Sequence, residues 1–359
     1  MKQYSLILNP GSTSTKLAVY QKRVPVFVRS VTHTQEELNQ FSTVFKQQAY
    51  RTELIERILR EEGVGLSDLE AVIAIGGMIR PGTAGVYEVN QAMADDLAAA
   101  RYHEHASNLG ALIGWSLSKK LNIPAYVADP ITADEMQPVA RLSGIPEITR
   151  AGRSHTLNQK SMAARAAAEL GKLYEKTNLI VVHLGGGISV AAHRMGQMVD
   201  TNAARGEGPF CIDRSGGVNT FEVVKLALSG KYTEEEMLAK ISGNGGVVAY
   251  LGTRDFREVV ARRAAGDEKA CAVFDAMAYQ IAKEVAAMSV PLGGRVDAIV
   301  LTGGMAHSKE LTEAITEQVA HIGRILVYPG ENELQALADY LYQVRSGQRE
   351  AFTYRAEED

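Results

Sequence analysis

The chain carries one local design twice. Near the N-terminus the apolar run Leu6-Ile7-Leu8-Asn9 meets a turn of small residues, Pro10-Gly11-Ser12-Thr13-Ser14, and resumes as Thr15-Lys16-Leu17-Ala18-Val19-Tyr20. The pattern returns midway as Ile180-Val181-Val182-His183-Leu184, then Gly185-Gly186-Gly187, then Ile188-Ser189-Val190-Ala191-Ala192. Each copy has a later echo. Ala71-Val72-Ile73-Ala74-Ile75-Gly76-Gly77-Met78 is answered by Ala298-Ile299-Val300-Leu301-Thr302-Gly303-Gly304-Met305. An apolar run, a glycine turn and a second apolar run read as a hairpin. A short apolar run ended by Gly-Gly reads as a buried strand. Two halves built this way restrict the chain to a duplicated α/β fold, with a ligand cleft expected between the halves.

The 359 residues suffice for two domains, each with its own core. With 46% apolar and 22% charged residues the composition is that of a globular protein. A net charge of −4, with no block of Lys and Arg, argues against a nucleic-acid partner. No run reaches the roughly 18 apolar residues of a membrane helix. Met1-Lys2-Gln3-Tyr4 enters a strand at once, and Cys211 and Cys271 form no CxxC pair. These features predict a cytoplasmic protein with two free thiols and no signal peptide.

In the first half the pattern predicts a hairpin over 5–20, a strand over 25–31 and a helix over 35–62. A strand over 70–75, largely helical structure over 90–120 with a break near 107–110, and a strand over 123–128 follow. The second half is expected to open with a helix over 158–171 and strands over 179–184, 188–193 and 198–201. Extra helices fall between 220 and 289. A strand over 297–302, a helix over 308–322, a strand over 324–328 and a helix over 331–345 close the chain. The expected domains are 1–152 with 335–359, and 153–334.

A glycine turn lets backbone N–H groups approach an anion, because no Cβ intervenes. Gly185-Gly186-Gly187, followed by Ser189, fits that use; so does Gly11-Ser12-Thr13-Ser14, where hydroxyls add donors and Lys16 adds charge. Gly303-Gly304-Met305 ends a strand before a helix, where ligands of α/β sheets gather. Neither half contains GxxxxGK[ST], which excludes a P-loop. A nucleotide in the expected cleft satisfies all three motifs.

Taken in order, Asn9 to Lys16, His183 to Ser189 and Leu301 to Met305 resemble the two phosphate motifs and the adenosine motif of the acetate and butyrate kinase family. That family lies within the superfamily of sugar kinases, Hsp70 and actin. Between them, His105-Ala106-Ser107-Asn108-Leu109-Gly110, Leu157-Asn158-Gln159-Lys160, Arg214-Ser215-Gly216-Gly217 and Glu331-Asn332-Glu333-Leu334 extend the resemblance over nearly the whole chain. It implies an α/β fold of duplicated ribonuclease H-like (actin-like ATPase) domains, with mixed sheets flanked by helices. It further implies reversible, ATP- and Mg2+-dependent phosphorylation of a short-chain carboxylate, butyrate or a branched analogue, to an acyl phosphate by a homo-oligomer. A sugar or polyol kinase and a non-catalytic ATP-binding switch are the alternatives in the same superfamily.

A carboxylate with a pKa of roughly 4.3 is already ionised at neutral pH, so the reaction needs no general base. It needs cations and a metal-binding carboxylate that let two anions meet. The resemblance places Arg214 on the transferring phosphoryl group and makes His155 the transition-state histidine. It gives Asp129 a catalytic and Mg2+-binding role, with Glu333 as its partner across the cleft. Asn9, Ser14, Lys16, Gly185, Gly186 and Gly187 hold phosphates, and Gly303, Gly304 and Met305 hold adenosine. His105 matches a substrate-side histidine, while His183 is expected to pack against the second glycine turn. Two positions depart from the family pattern. Ile75 stands where an arginine helps to hold the substrate carboxylate, which makes Arg80 the candidate replacement. Ser154 stands where a phenylalanine is expected.

Overall fold

Period-two alternation places Leu6, Leu8, Leu17 and Val19 of the first hairpin in one core layer, with the equally buried Ile7 and Ala18 on the opposite face. The computed structural model describes residues 3–357. Its strands are β1 (Tyr4–Pro10), β2 (Ser14–Gln21), β3 (Val24–Thr32), β4 (Leu69–Ile75), β5 (Val86–Glu88), β6 (Ala125–Ala128), β7 (Asn178–Leu184), β8 (Ile188–Arg194), β9 (Gln197–Thr201), β10 (Ala298–Gly303), β11 (Arg324–Pro329) and β12 (Phe352–Thr353). The chain divides into two units. One holds the residues up to Asp134 and those from Asn332 onward; the other is Glu135–Glu331.

The first unit contains a sheet of order β12-β5-β6-β4-β1-β2-β3, the second a sheet of order β11-β10-β7-β8-β9. In the first, β1, β2 and β3 pair antiparallel while β4 and β6 continue parallel to β1. In the second, β7, β8 and β9 pair antiparallel while β10 and β11 continue parallel to β7. The echoed motifs therefore occupy equivalent strands, and the duplication is real at the level of sheet topology. Strands β5 and β12, at the free edge of the first sheet, were not anticipated.

Helices cover both faces of each sheet. In the first unit Gln48–Glu61 and Asn108–Leu121 bury Leu54, Ile55, Leu109 and Ile113 with the sheet's apolar face, and Glu333–Arg345 lies against β1 and β4. In the second unit Glu268–Met288 and Lys309–Val319 pack Phe274, Met277, Ile281 and Leu311 on one face. On the other face Thr156–Glu169 presents Met162, Ala163 and Ala166 to Val181 and Val300. Among the described residues no helix is long and apolar enough to cross a membrane.

Three expectations need correction. The helix expected over 35–62 is two helices, Gln35–Asn39 and Gln48–Glu61, because a capping box at Thr34 and Glu37 starts the first and the polar stretch 40–43 does not continue it. The helical stretch 90–120 breaks over 99–107, where Ala100 adopts φ +50, a left-handed conformation that ends Gln91–Ala98. Residues 135–152 belong to the second unit rather than the first. Glu135 pairs with Lys160 and accepts the Met198 N–H, while Arg150 reaches Asp200 and Glu207.

Three buried side chains of basic type brace the sheets. Arg51 is fully buried, and its Nη1 donates to the carbonyls of Gly11 and Ser14 (both 2.9 Å) and to Thr15 Oγ1 (3.1 Å). Its Nε and Nη2 donate to Gln47 Oε1. Every acceptor is uncharged among the described residues, so the guanidinium holds the 11–14 turn from behind by donation alone. His33 and His193 are buried imidazoles. His33 Nε2 lies 2.8 Å from Thr15 Oγ1, and His193 Nδ1 lies 2.7 Å from the Tyr174 hydroxyl. Burial, reinforced by Arg51, pushes His33 below the usual imidazole range; burial, reinforced by Lys160, pushes His193 well below it.

Arg51→Met takes the guanidinium donors away from the turn carbonyls and from Gln47 and is expected to cost about 3 kcal/mol or more in urea denaturation. A loss below about 1 kcal/mol contradicts this account of the turn. The imidazoles make a second prediction. Below pH ~6.5 an unfolded chain takes up protons that the native His33 and His193 refuse, so native stability is intact above that pH and declines on acidification. The urea midpoint should be lower at pH 5.5 than at pH 7.5, and the His193→Gln variant should show a shallower decline.

Candidate functional site

Leu184 ends β7 and Ile188 begins β8, which leaves Gly185, Gly186 and Gly187 to make the turn. A Cβ on Gly187 would lie 2.4 Å from Arg214 Nη1 and 2.8 Å from its Cζ, so the guanidinium rests directly against the backbone of the turn. Arg214 Nη1 donates to the Ala204 carbonyl (2.8 Å), and its Nε lies 3.7 Å from Asp213 Oδ1. Space beside Gly186 is open. The turn and Arg214 thus form one surface of backbone N–H groups and a fixed cation, which suits a phosphoryl group.

His155 immediately precedes the helix Thr156–Glu169. Its ring stacks on that of His183, with centroids 3.8 Å apart and an interplanar angle of 11°. His155 Nδ1 lies 2.9 Å from Ser189 Oγ, and His183 Nδ1 lies 2.8 Å from Asn158 Oδ1. His183 Nε2 is 3.4 Å from Glu331 Oε1. Burial first, then His183 and Arg214, hold His155 well below the usual imidazole range. At neutral pH the ring beside Arg214 is therefore uncharged, and it can donate or accept without adding repulsion to the cation.

The adenosine motif adjoins this turn. Gly303 ends β10 with φ +90, and a Cβ there would lie 2.4 Å from the Leu184 carbonyl oxygen. Gly303 and Gly330 exchange backbone hydrogen bonds of 3.2 and 3.0 Å, which close the strand end. A cavity of ≈ 680 Å³ is lined by Gly185, Gly186, Gly304 and Met305 together with Ile212, Phe256, Arg254 and Arg257. Its size and its mix of apolar wall and few polar groups are those of a small-molecule site.

The remaining predicted residues lie in the first unit. Asn9 Nδ2 donates to Glu333 Oε2 (2.5 Å). Glu333 opens the helix Glu333–Arg345 and belongs to the same unit as Asp129, so it is not Asp129's partner from the other domain. The chain returns to the first unit at Asn332, three residues earlier than its sequence suggested. Lys16 is exposed and stands directly opposite Asn9 in the β1–β2 ladder, so the two share a face. Ser14 lends its carbonyl to Gly11 N–H and to Arg51.

Asp129, at the end of β6, is 2% exposed and holds φ +43, a conformation uncommon outside glycine and concentrated at functional sites. His105 Nδ1 accepts from Ser107 N–H (3.2 Å) and lies 2.8 Å from Ser107 Oγ, at the start of Asn108–Leu121. Arg80 is exposed. Neither Arg80 nor His105 shares a hydrogen bond or ion pair with another predicted site residue among the described residues. Ile75 is part-buried at the end of β4, and Ser154 is buried with its hydroxyl 3.3 Å from Met198 Sδ. The described residues contain no group of three or more His, Cys, Asp or Glu suited to a metal. Asp129 and Glu333 are carboxylates of one unit, the donor type that Mg2+ takes in small number beside nucleotide phosphates and water.

Sequence reasoning missed Gln159 and Arg51. Gln159 donates to the Ser189 carbonyl and to Ser189 Oγ, both at 3.0 Å, and so supports the partner of His155. Its i,i+4 spacing from His155 was the available signal. Arg51 gave none, because its acceptors are carbonyls some forty residues earlier.

The Acetokinase family model matches residues 144–338. Butyrate kinase 1 of Clostridium acetobutylicum is 44% identical over 351 residues, which cover 98% of this chain and 99% of that protein. A probable butyrate kinase of Listeria monocytogenes is 47% identical over 343 residues, 95% of this chain and 97% of that protein. Among solved structures, Porphyromonas gingivalis acetate kinase superposes with a TM-score of 0.74 at 20% identity over 94% of this chain and 99% of its own. A propionate kinase from Francisella tularensis gives 0.73 at 19% identity over 94% and 98%. At such identities the solved structures establish the fold alone, whereas the full-length likeness to the butyrate kinases establishes kinship: the chain belongs to the acetokinase family.

Proposed function

We propose that this chain transfers the γ-phosphoryl group of ATP to a short-chain carboxylate, butyrate or a branched analogue, and that the reaction runs in both directions. The observation that carries this reading is the Arg214 guanidinium seated on Gly187 beside an uncharged His155, in a chain 44% and 47% identical to butyrate kinases. One carboxylate oxygen attacks the γ-phosphorus, the bond from phosphorus to the ADP oxygen breaks, and its electron pair leaves with ADP. No proton moves, so the site needs no base. Charge is the obstacle, and its neutralisation is the main catalytic task.

Arg214 offers a planar fork to the oxygens of the phosphoryl group in flight. His155 adds a neutral hydrogen-bond donor, and the N–H groups of Gly186 and Gly187 add fixed dipoles, while the Gly185 N–H closes the turn on the Gly187 carbonyl. Adenosine takes the cavity beside the turn that Gly304 and Met305 line, with Gly303 closing the strand end next to them. In the first unit Asn9, Ser14 and Lys16 take phosphate oxygens, and Arg80 and His105 serve the carboxylate. Asp129 and Glu333 hold Mg2+, which when bound offsets negative charge on the phosphates. The alkyl tail needs an apolar pocket, and each methylene adds only about 0.8 kcal/mol, so neighbouring chain lengths are discriminated weakly. The chain acts as a homo-oligomer, and the outward side chains of Thr220–Ala227 and its flank, with Phe221 78% and Leu228 83% exposed, offer an apolar face for it.

Trapping acyl phosphate with hydroxylamine over acids from acetate to valerate tests the reading. Hydroxamate should form with ATP, peaking at butyrate or a branched acid; sugar phosphorylation without hydroxamate overturns it. Arg214→Ala should lower kcat about 10²–10³-fold, and Arg214→Lys should recover little of that. An Arg214→Ala enzyme with unchanged kcat removes Arg214 from the mechanism.

A further inference from the structure

We infer that Gln159 and Ser189 are positioning residues that lock His155 into one tautomer, with a bare Nδ1 and its single proton on Nε2. The backbone carbonyl of Ser189 can only accept a hydrogen bond. Gln159 lies 3.0 Å from it, and only the amide nitrogen can make that contact, which fixes the orientation of the Gln159 side chain. The same nitrogen donates to Ser189 Oγ at 3.0 Å. Ser189 Oγ has two polar neighbours among the described residues, Gln159 Nε2 and His155 Nδ1. The hydroxyl is buried and its own hydrogen needs an acceptor; of these two neighbours the Gln159 nitrogen can only donate, so the hydrogen goes to His155 Nδ1 at 2.9 Å. His155 Nδ1 is therefore an acceptor, and Nε2 carries the proton.

The far end of the Gln159 amide leads to the same conclusion for a second ring. Gln159 Oε1 lies 3.1 Å from His193 Nε2 and must accept from it. His193 Nδ1 is then bare and accepts from the Tyr174 hydroxyl at 2.7 Å. One chain of hydrogen bonds, from Tyr174 through His193, Gln159 and Ser189 to His155, runs in a single direction. Gln159, Ser189 and His193 are fully buried, so none of these donors has water as an alternative. A second proton on His155 would displace the Ser189 hydroxyl hydrogen from its sole acceptor. The burial of the ring and its neighbours His183 and Arg214 act in the same sense.

The consequence deepens the kinase reading and rests on it only for what Nε2–H meets. His155 offers an uncharged N–H to the transferring phosphoryl oxygens and does not wait for protonation. The buried chain supplies that orientation before substrate arrives, as a preorganised donor requires.

Protein labelled with 15N-histidine, read by long-range 1H–15N correlation at pH 7.5 without ligands, tests the tautomer directly. His155 and His193, assigned through His155→Gln and His193→Gln, should both show a protonated Nε2 and a bare Nδ1. A protonated Nδ1 on His155, alone or with Nε2, overturns the inference even where hydroxamate formation is normal. Ser189→Ala and Gln159→Met should mix the His155 tautomers and lower kcat about 10-fold or more, with the KM values for ATP and carboxylate within about 3-fold. Gln159→Glu, which puts an acceptor against the Ser189 carbonyl, should do the same. Should these variants unfold, the wild-type spectrum alone still decides the tautomer. Full kcat in a folded Ser189→Ala protein overturns the positioning role. Absent hydroxamate with the expected spectrum instead counts against the kinase reading and leaves the tautomer standing.

Discussion

The contact between the Arg214 guanidinium and the bare Cα of Gly187 is the constraint on which the second unit's chemistry depends. A cation near a phosphate-binding turn is useful only if it is close to the N–H groups and held there. Glycine provides the closeness, since a Cβ would occupy the position of Nη1. The Ala204 carbonyl provides the hold. Everything else around the turn keeps that cation effective. The neighbouring imidazoles are stacked and hydrogen-bonded at Nδ1, His183 buried and His155 part-buried, and His155 is kept neutral, so it adds directional donors without opposing charge.

The two halves solve one problem in different ways. Both have a β–turn–β element continued by parallel strands, and both turns suit anions. In the first unit the cation lies behind the turn. Arg51 spends its donors on turn carbonyls and is sealed from water, so it shapes the loop and lends it a positive field. In the second unit the cation lies on the turn itself, and the space behind is filled by an uncharged chain from Tyr174 to His155. Duplication preserved the strand order and let the side chains around the turns diverge.

That buried chain also bears on stability. Polar groups in a dry interior are tolerable when each donor has an acceptor, and costly when one is missing. His193, Gln159 and Ser189 meet that condition only in one arrangement of protons. The requirement that favours folding to a unique state is the same one that presents a defined N–H at the site. Asp129 in the first unit and Gly303 in the second show the complementary device, backbone held at positive φ where a strand ends.

Amino-acid order by itself determined the duplication, most of the succession of elements along each half, the three glycine motifs and the family, because these rest on local periodicity and on contiguous motifs. It also named Arg214, His155 and the Gly185–Gly187 turn, which the structure gathers in one place. What it could not supply were relations between residues far apart in the chain. Glu333 joins Asn9 across more than three hundred residues, and residues 135–152 turn to the second sheet through Glu135 and Arg150. Arg51 had looked like one residue of a helix and proves to be the brace of a distant turn. The direction of the hydrogen bonds that fix His155 emerges only when Gln159, Ser189 and His193 are in place, since a proton's position is set by its partners in space and those partners come from two separate segments, the helix Thr156–Glu169 and strand β8.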